Sequence, residues 1–171
     1  MKRAAAIAGV VAVLCAAAWY WLSPQRALDA LGDFGAPPSE IAALYDRQSV
    51  RAGFAAQTMT QVDDYPPPLT KDVVLDALSD PEAVRMLAAE PYGEWQFAAY
   101  EGLPPALREG EEESSPMPRI METTQSWEIE RDGLSGFTAR GGDREGGKTY
   151  TFRRDGLSWK LVHVDLGTEI R

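Results

Sequence analysis

Residues 150–166 read YTFRRDGLSWKLVHVDL, and residues 126–140 read SWEIERDGLSGFTAR. Each stretch carries the block Arg-Asp-Gly-Leu-Ser, at Arg131–Ser135 and again at Arg154–Ser158. Asp-Gly between two alternating segments signals a β-hairpin, because a type I′ turn needs φ > 0 at both central residues. Centring the second turn on Asp155-Gly156 predicts Arg154 opposite Leu157, Phe152 opposite Trp159 and Tyr150 opposite Leu161. Two aromatic–apolar pairs then share one face, each stabilising the sheet by about 0.2–1 kcal/mol. The first copy admits two closures. A two-residue turn at Asp132-Gly133 pairs Ile129 with Gly136 and Trp127 with Thr138, whereas a three-residue loop with a glycine bulge pairs Trp127 with Phe137. The bulged form is preferred, and on this reading the repeat is turn chemistry rather than a binding motif.

With GGDREGG (141–147) as a longer turn between them, the hairpins predict an antiparallel meander of four strands near 124–131, 134–140, 148–154 and 157–166. Upstream, the signals are helical. Ser23-Pro24 is a helix start, Ser39 is placed to cap EIAALYD, and Asp46 is placed to cap the segment from Arg47, whose Val50, Phe54, Ala55, Thr58 and Val62 form an apolar stripe. DYPPPL (64–69) is a stiff connector, Thr70 caps the next helix, and Asp80-Pro81 opens another. The segment 91–102 fits either a strand or a short helix. The acidic run 109–113 lacks calcium-loop spacing and reads as a solvated loop. Helices followed by a curling sheet make an α+β domain, with Trp127, Phe152, Trp159 and Leu161 facing the helices. The nearest familiar shape is the cone of ketosteroid-isomerase-like proteins, with a cystatin-like sheet over one helix as the alternative.

The N-terminus decides where this domain sits. Lys2 and Arg3 precede 19 uncharged, largely apolar residues from Ala4 to Leu22. As a helix that run spans roughly 28 Å, against a hydrocarbon core of about 30 Å. Trp19, Tyr20 and Trp21 fall where an aromatic belt meets the far interface, and the basic tip holds residues 1–3 in the cytoplasm. Residues 4–22 are therefore read as a signal-anchor in a bacterial inner membrane, with 23–171 as a periplasmic domain: helices within 24–90, a loop at 101–118, a sheet within 119–166. Cleavage at Ala16–Ala18 is the competing reading, but it leaves a mature chain beginning with three aromatics. Beyond Leu22 the formal charge is 15 − 26 = −11. Such a body repels phosphate backbones, so nucleic acid is not an expected partner, and adhesion through a basic patch is disfavoured. The single cysteine, Cys15, lies in the apolar run, so the chain can form no internal disulfide and no Cys-based metal site.

Four pieces of the chain also resemble domain-of-unknown-function family 2939, a group of uncharacterised bacterial membrane-anchored envelope proteins. They are Trp19–Pro24, EIAALYDRQSVRAGFAAQ (40–57), DALSDPEAVRML (76–87) and Arg153–Leu166. The resemblance implies an anchored envelope domain and transfers no catalytic residue. The Pro-containing acidic insert at 104–118 has no counterpart in it.

Chemistry-bearing residues are few. His163 is the one histidine, and Asp165, two positions on, shares its strand face, so the pair forms a weak candidate base and orienter. Tyr45, Asp46 and Tyr100 are candidate pocket-lining groups, while Met59 and Met86 read as core. No nucleophile elbow, zinc-binding HExxH or phosphate-binding glycine loop is present, and no cofactor or metal is expected. Three functions stand. The leading one is a non-enzymatic envelope module that binds a protein partner or assists assembly. The others are a pocket for a small apolar ligand and an acid–base enzyme of the isomerase kind built on His163 or a buried carboxylate.

Overall fold

The computed structural model describes residues 2–57, 69–89, 95–107, 127–141 and 147–167. Among the described residues the fold is α+β: six α-helices and a short 3-10 helix (Pro105–Leu107), then four antiparallel strands in the order β1-β2-β3-β4. The helices are α1 (Lys2–Leu31), α2 (Pro38–Ala43), α3 (Arg47–Gln57), α4 (Lys71–Leu78), α5 (Pro81–Ala89) and α6 (Trp95–Gly102); the strands are β1 (Trp127–Asp132), β2 (Gly136–Gly141), β3 (Thr149–Asp155) and β4 (Ser158–Asp165). Segment 95–102 is thus helical. Residues 58–68, including Thr58, Met59, Val62 and most of the proline connector, lie outside the described residues, as do the acidic run, 119–126 and most of the 141–147 turn.

The first helix does not restart at Ser23-Pro24. It runs unbroken from the apolar segment to Leu31 with Pro24 inside it, so it extends past the 4–22 span. Its stretch Ile7–Leu31 is long and apolar enough to cross a membrane. Residues 7–18 are exposed, but Ser23, Pro24, Leu28 and Leu31 are buried. Pro24, Leu28 and Leu31 recur at three-to-four-residue spacing and so share one face of the helix, with Ser23 at its edge. The last turns of the apolar helix therefore belong to the core of the body.

Asp46 caps α3, accepting the N–H groups of Gln48 and Ser49 at 3.1 and 3.2 Å. Thr70 caps α4 through the Val73 N–H, and Asp80 accepts the Glu82 N–H ahead of Pro81. At α2 the cap differs from expectation. That helix begins at Pro38, behind Pro37, with no side-chain cap, so Ser39 lies inside it. Arg51 ties α3 to α4 through Asp72 (2.9 Å) and Asp76 (2.7 Å).

Both hairpins form, in registers other than those expected. In the second, Asp155 pairs with Ser158 and the two-residue loop is Gly156-Leu157. Only Gly156 has positive φ (+63°), the pattern of a type II′ turn with glycine first. Consequently Arg154 pairs with Trp159 and Phe152 with Leu161. Val162 is then an extra residue between Leu161 and His163, beyond which Thr151 pairs with His163 and Tyr150 with Val164. This bulge resets the inward alternation of β4 from Trp159 and Leu161 to Val164 and Leu166. In the first hairpin a three-residue loop, Gly133–Ser135, is closed by Asp132 opposite Gly136, so Trp127 faces Gly141 rather than Phe137. One five-residue block thus closes in two ways.

The inner face carries Phe137 stacked on Phe152 (4.5 Å), Trp159 edge-on to Phe137 (5.0 Å) and Trp127 edge-on to Tyr150 (5.3 Å). Phe152, Trp159 and Leu161 are buried and Trp127 half-buried. The chain between α2 and α3 extends the sheet beside β4. Leu161 donates to the Leu44 carbonyl at 3.0 Å and accepts from Asp46 N–H at 2.9 Å, in a parallel bridge. Farther along β4, Gln57 bonds the Val164 carbonyl (2.7 Å) and the Leu166 N–H (2.9 Å). Backbone groups that an edge strand would leave open are satisfied in this way.

Candidate functional site

Among the described residues, a cluster of specific side-chain contacts lies where α1 crosses the turn end of the sheet. Period-2 alternation puts Arg131 on the same face as Trp127 and Ile129, and Arg154 on that of Tyr150 and Phe152. Each arginine opens one copy of the repeated block and is the last inward-facing position before its turn. At that end of the sheet the covering element is α1, which presents Trp19, Tyr20 and Trp21.

The Arg131 guanidinium lies over Tyr20 (4.2 Å to the ring centroid) and Trp21 (5.4 Å), and its Nη2 donates to the Trp21 carbonyl at 3.1 Å. Arg154 lies over Trp19 (4.7 Å) and Trp159 (5.0 Å). Arg131 Nη1 and Arg154 Nε and Nη2 are buried without a conventional acceptor. The π faces of these rings stand in, which is the attraction of a cation to an aromatic quadrupole. Trp19 and Trp159 lie parallel, 6.3 Å apart, and the buried Trp159 Nε1 donates to Ser23 Oγ at 2.9 Å. Tyr20 donates its phenolic proton to the Gly133 carbonyl at 3.2 Å. The two hairpins are joined to each other by Arg154 N–H to the Ser135 carbonyl at 2.9 Å. Trp159 is therefore buried against the first helix, rather than between the sheet and the short helices alone.

The residues read as chemistry-bearing from the sequence are not gathered at this collar. His163 is half-buried against α3, where its Nδ1 stands 2.5 Å from the position a Cβ on Gly53 would take. Asp165 is exposed and its carboxylate accepts the Gly167 N–H at 3.0 Å; no hydrogen bond or ion pair joins it to His163. Tyr45 is buried and donates to the Ser79 carbonyl at 2.7 Å, and burial pushes its phenol up to about 12. Tyr150, also buried, donates to the Leu87 carbonyl, and burial raises its pKa further still. Asp46 is held below the usual carboxylate range by the Ser49 N–H and hydroxyl, as befits a helix cap. Tyr100 lies on α6, apart from Tyr45 and Asp46 in sequence, and Met86 packs half-buried against the core. Among the described residues no group of three or more His, Cys, Asp and Glu is placed to hold a metal ion.

The arginine–aromatic collar joins residues that no local sequence motif brings together. Its separate signals are an aromatic triplet ending an apolar helix, and a repeated block whose first residue is arginine. The chain matches no protein-family model, no curated protein and no solved structure.

Proposed function

We propose that this is a non-enzymatic, single-pass membrane protein whose α+β body is fixed at the extracytoplasmic face of the bilayer, where it serves as an interaction or assembly module for an envelope protein. In a bacterial cell that face is the periplasmic side of the inner membrane. The observation that carries the reading is the continuity of α1, which passes from an exposed apolar segment into the core with no intervening loop. A tether meant only to localise a domain does not need its last turns buried under that domain. Here Ser23, Leu28 and Leu31 are core residues and Trp19 stacks on Trp159. The orientation is supported by Lys2 and Arg3 immediately ahead of the span, which favour a cytoplasmic N-terminus. The non-catalytic element is supported by how the interior hydroxyls are used, since Tyr45, Tyr150 and Ser79 all bond main-chain carbonyls.

The test has two parts. Full-length protein should stay with the membrane pellet through alkaline carbonate extraction, and an alkaline phosphatase fusion after Arg171 should be active. A carbonate-soluble protein or an inactive fusion contradicts the anchor or its orientation. In-cell crosslinking should recover a protein partner, and recovery of lipids or metabolites alone removes the partner element.

A further inference from the structure

We infer that the two Asp-Gly-Leu turns are membrane-contact elements, with Leu134 and Leu157 entering the lipid interface beside the point where α1 leaves the bilayer. This rests on the anchoring proposed above and extends it, because it makes the lipid surface a second ligand of the body.

Three observations converge on these turns. The first is their position along α1. The Gly133 carbonyl is bonded by Tyr20, Arg131 reaches the Trp21 carbonyl, and Arg154 lies on Trp19. All three partners precede Leu22, the end of the apolar run. At about 1.5 Å per residue, Tyr20 lies roughly 3 Å on the membrane side of that end. A body standing clear of the bilayer would touch the helix only beyond it. This one grips the helix within the zone assigned to the aromatic belt, so its turns are level with the interface.

The second is exposure. Outside α1, the large hydrophobic side chains left open to solvent among the described residues are Phe34, Leu134 and Leu157. Leu134 is 65% and Leu157 82% exposed, and they occupy the same position in the two copies of the block. They flank a helix exit where Trp21 (70%) and Leu22 (51%) are also open. Together these make an apolar rim around the anchor of the kind that marks an interaction surface.

The third is that the turns themselves do not call for leucine. Closure needs glycine at positive φ, which Gly133 and Gly156 supply at +59° and +63°. The adjoining positions favour small polar residues in water. The repeated block is therefore more than turn chemistry: its arginine grips the belt aromatics, its glycine turns the chain, and its leucine faces outward.

Charge decides the character of the contact. Asp132 and Asp155 flank the leucines, and Asp155 is paired with Lys160 at 3.1 Å. Arg131 and Arg154 turn inward onto aromatic rings, and on the outward face Arg153 lies opposite Lys160, so with Asp132 and Asp155 the outward charges beside the turns cancel (2 − 2 = 0) and leave no net attraction for anionic headgroups. The contact is apolar and interfacial, and zwitterionic lipid suffices for it.

The experiment uses the full chain in phosphatidylcholine nanodiscs, with Cys15→Ala as background and single spin labels at Leu134→Cys, Leu157→Cys, Glu128→Cys and Val11→Cys. Collision with oxygen is compared with collision with a water-soluble nickel chelate. Glu128 is exposed at the end of β1 away from the turns and reports the aqueous value; Val11 reports the bilayer interior. The expected oxygen-to-nickel ratios at positions 134 and 157 are several-fold above that at 128 and below that at 11. Values at 134 and 157 equal to that at 128, with 11 in lipid, overturn the turn contact and leave the anchor standing. An aqueous value at 11 overturns the anchor and the turn contact together.

Discussion

The indole of Trp159 lies parallel to that of Trp19, with ring centroids 6.3 Å apart and planes within 9°. A strand of the C-terminal hairpin and the end of the N-terminal apolar segment are therefore one packed unit. The contact makes the long apolar helix a component of the fold, and it supplies a structural reason for Trp19 at this point in the chain.

Replacing Ser23 with Ala should destabilise the protein by about 1–3 kcal/mol, because the buried Trp159 N–H loses its acceptor. Trp159→Phe in the Ser23→Ala background should lose less than the sum of the two single changes, since the orphaned donor has gone. Denaturant unfolding of detergent-solubilised protein, followed by near-UV circular dichroism, measures the cycle.

Arg154→Lys keeps the charge and discards the planar guanidinium that lies over Trp19 and Trp159. A loss of about 0.5–2 kcal/mol is expected. An unchanged midpoint would show that the stacked geometry contributes nothing beyond charge.

At Gly53 the sign of an effect can be reversed. Alanine there should gain about 0.5–1 kcal/mol of helix propensity, but its Cβ would lie 2.5 Å from His163 Nδ1, so the ring must move. Gly53→Ala alone is expected to destabilise. In a His163→Ala background the same substitution should stabilise, and thermal unfolding of the four proteins distinguishes the cases.

Alkaline pH should unfold the protein through its buried phenols. An unfolded tyrosine ionises near about 10, whereas burial holds Tyr45 neutral up to about 12 and Tyr150 beyond it. Above the unfolded value the unfolded chain releases protons that the native state retains, so stability falls as pH rises. The contribution of Tyr45 is complete below pH 10 and is lost on passing about 12. Tyrosinate absorbance during an alkaline titration should show late phenols titrating together with unfolding; their early titration in a folded protein would contradict the burial.

Much of this architecture was legible in the residues because its signals are local. Asp-Gly between alternating segments specifies a hairpin, Thr70 and Asp80-Pro81 specify helix starts, and an apolar run of membrane length between Arg3 and Ser23 specifies a candidate anchor. What escaped depended on contacts between distant parts of the chain. Pro24 looked like a first helical residue, yet α1 passes through it because burial of Ser23, Leu28 and Leu31 stabilises the helix on both sides. The extra Val162 shifts the inward set of β4 by one residue, and no turn residue announces it. No local pattern marks Arg131 and Arg154, because the α1 rings that accept them lie more than 100 positions away. Strand periodicity puts His163 and Asp165 two positions apart, but that spacing does not make a hydrogen bond: Asp165 bonds the main chain and His163 packs on Gly53.

The continuity of α1 is tested most directly by a distance. Spin labels at Val10→Cys, inside the apolar segment, and Arg140→Cys, on the exposed side of β2, would be placed in the Cys15→Ala protein in a bilayer nanodisc. Double electron–electron resonance should then give one narrow distance distribution, because a single helix links the span to the sheet. A broad distribution, as expected from a hinge at Ser23-Pro24, would contradict a body fixed to its own anchor.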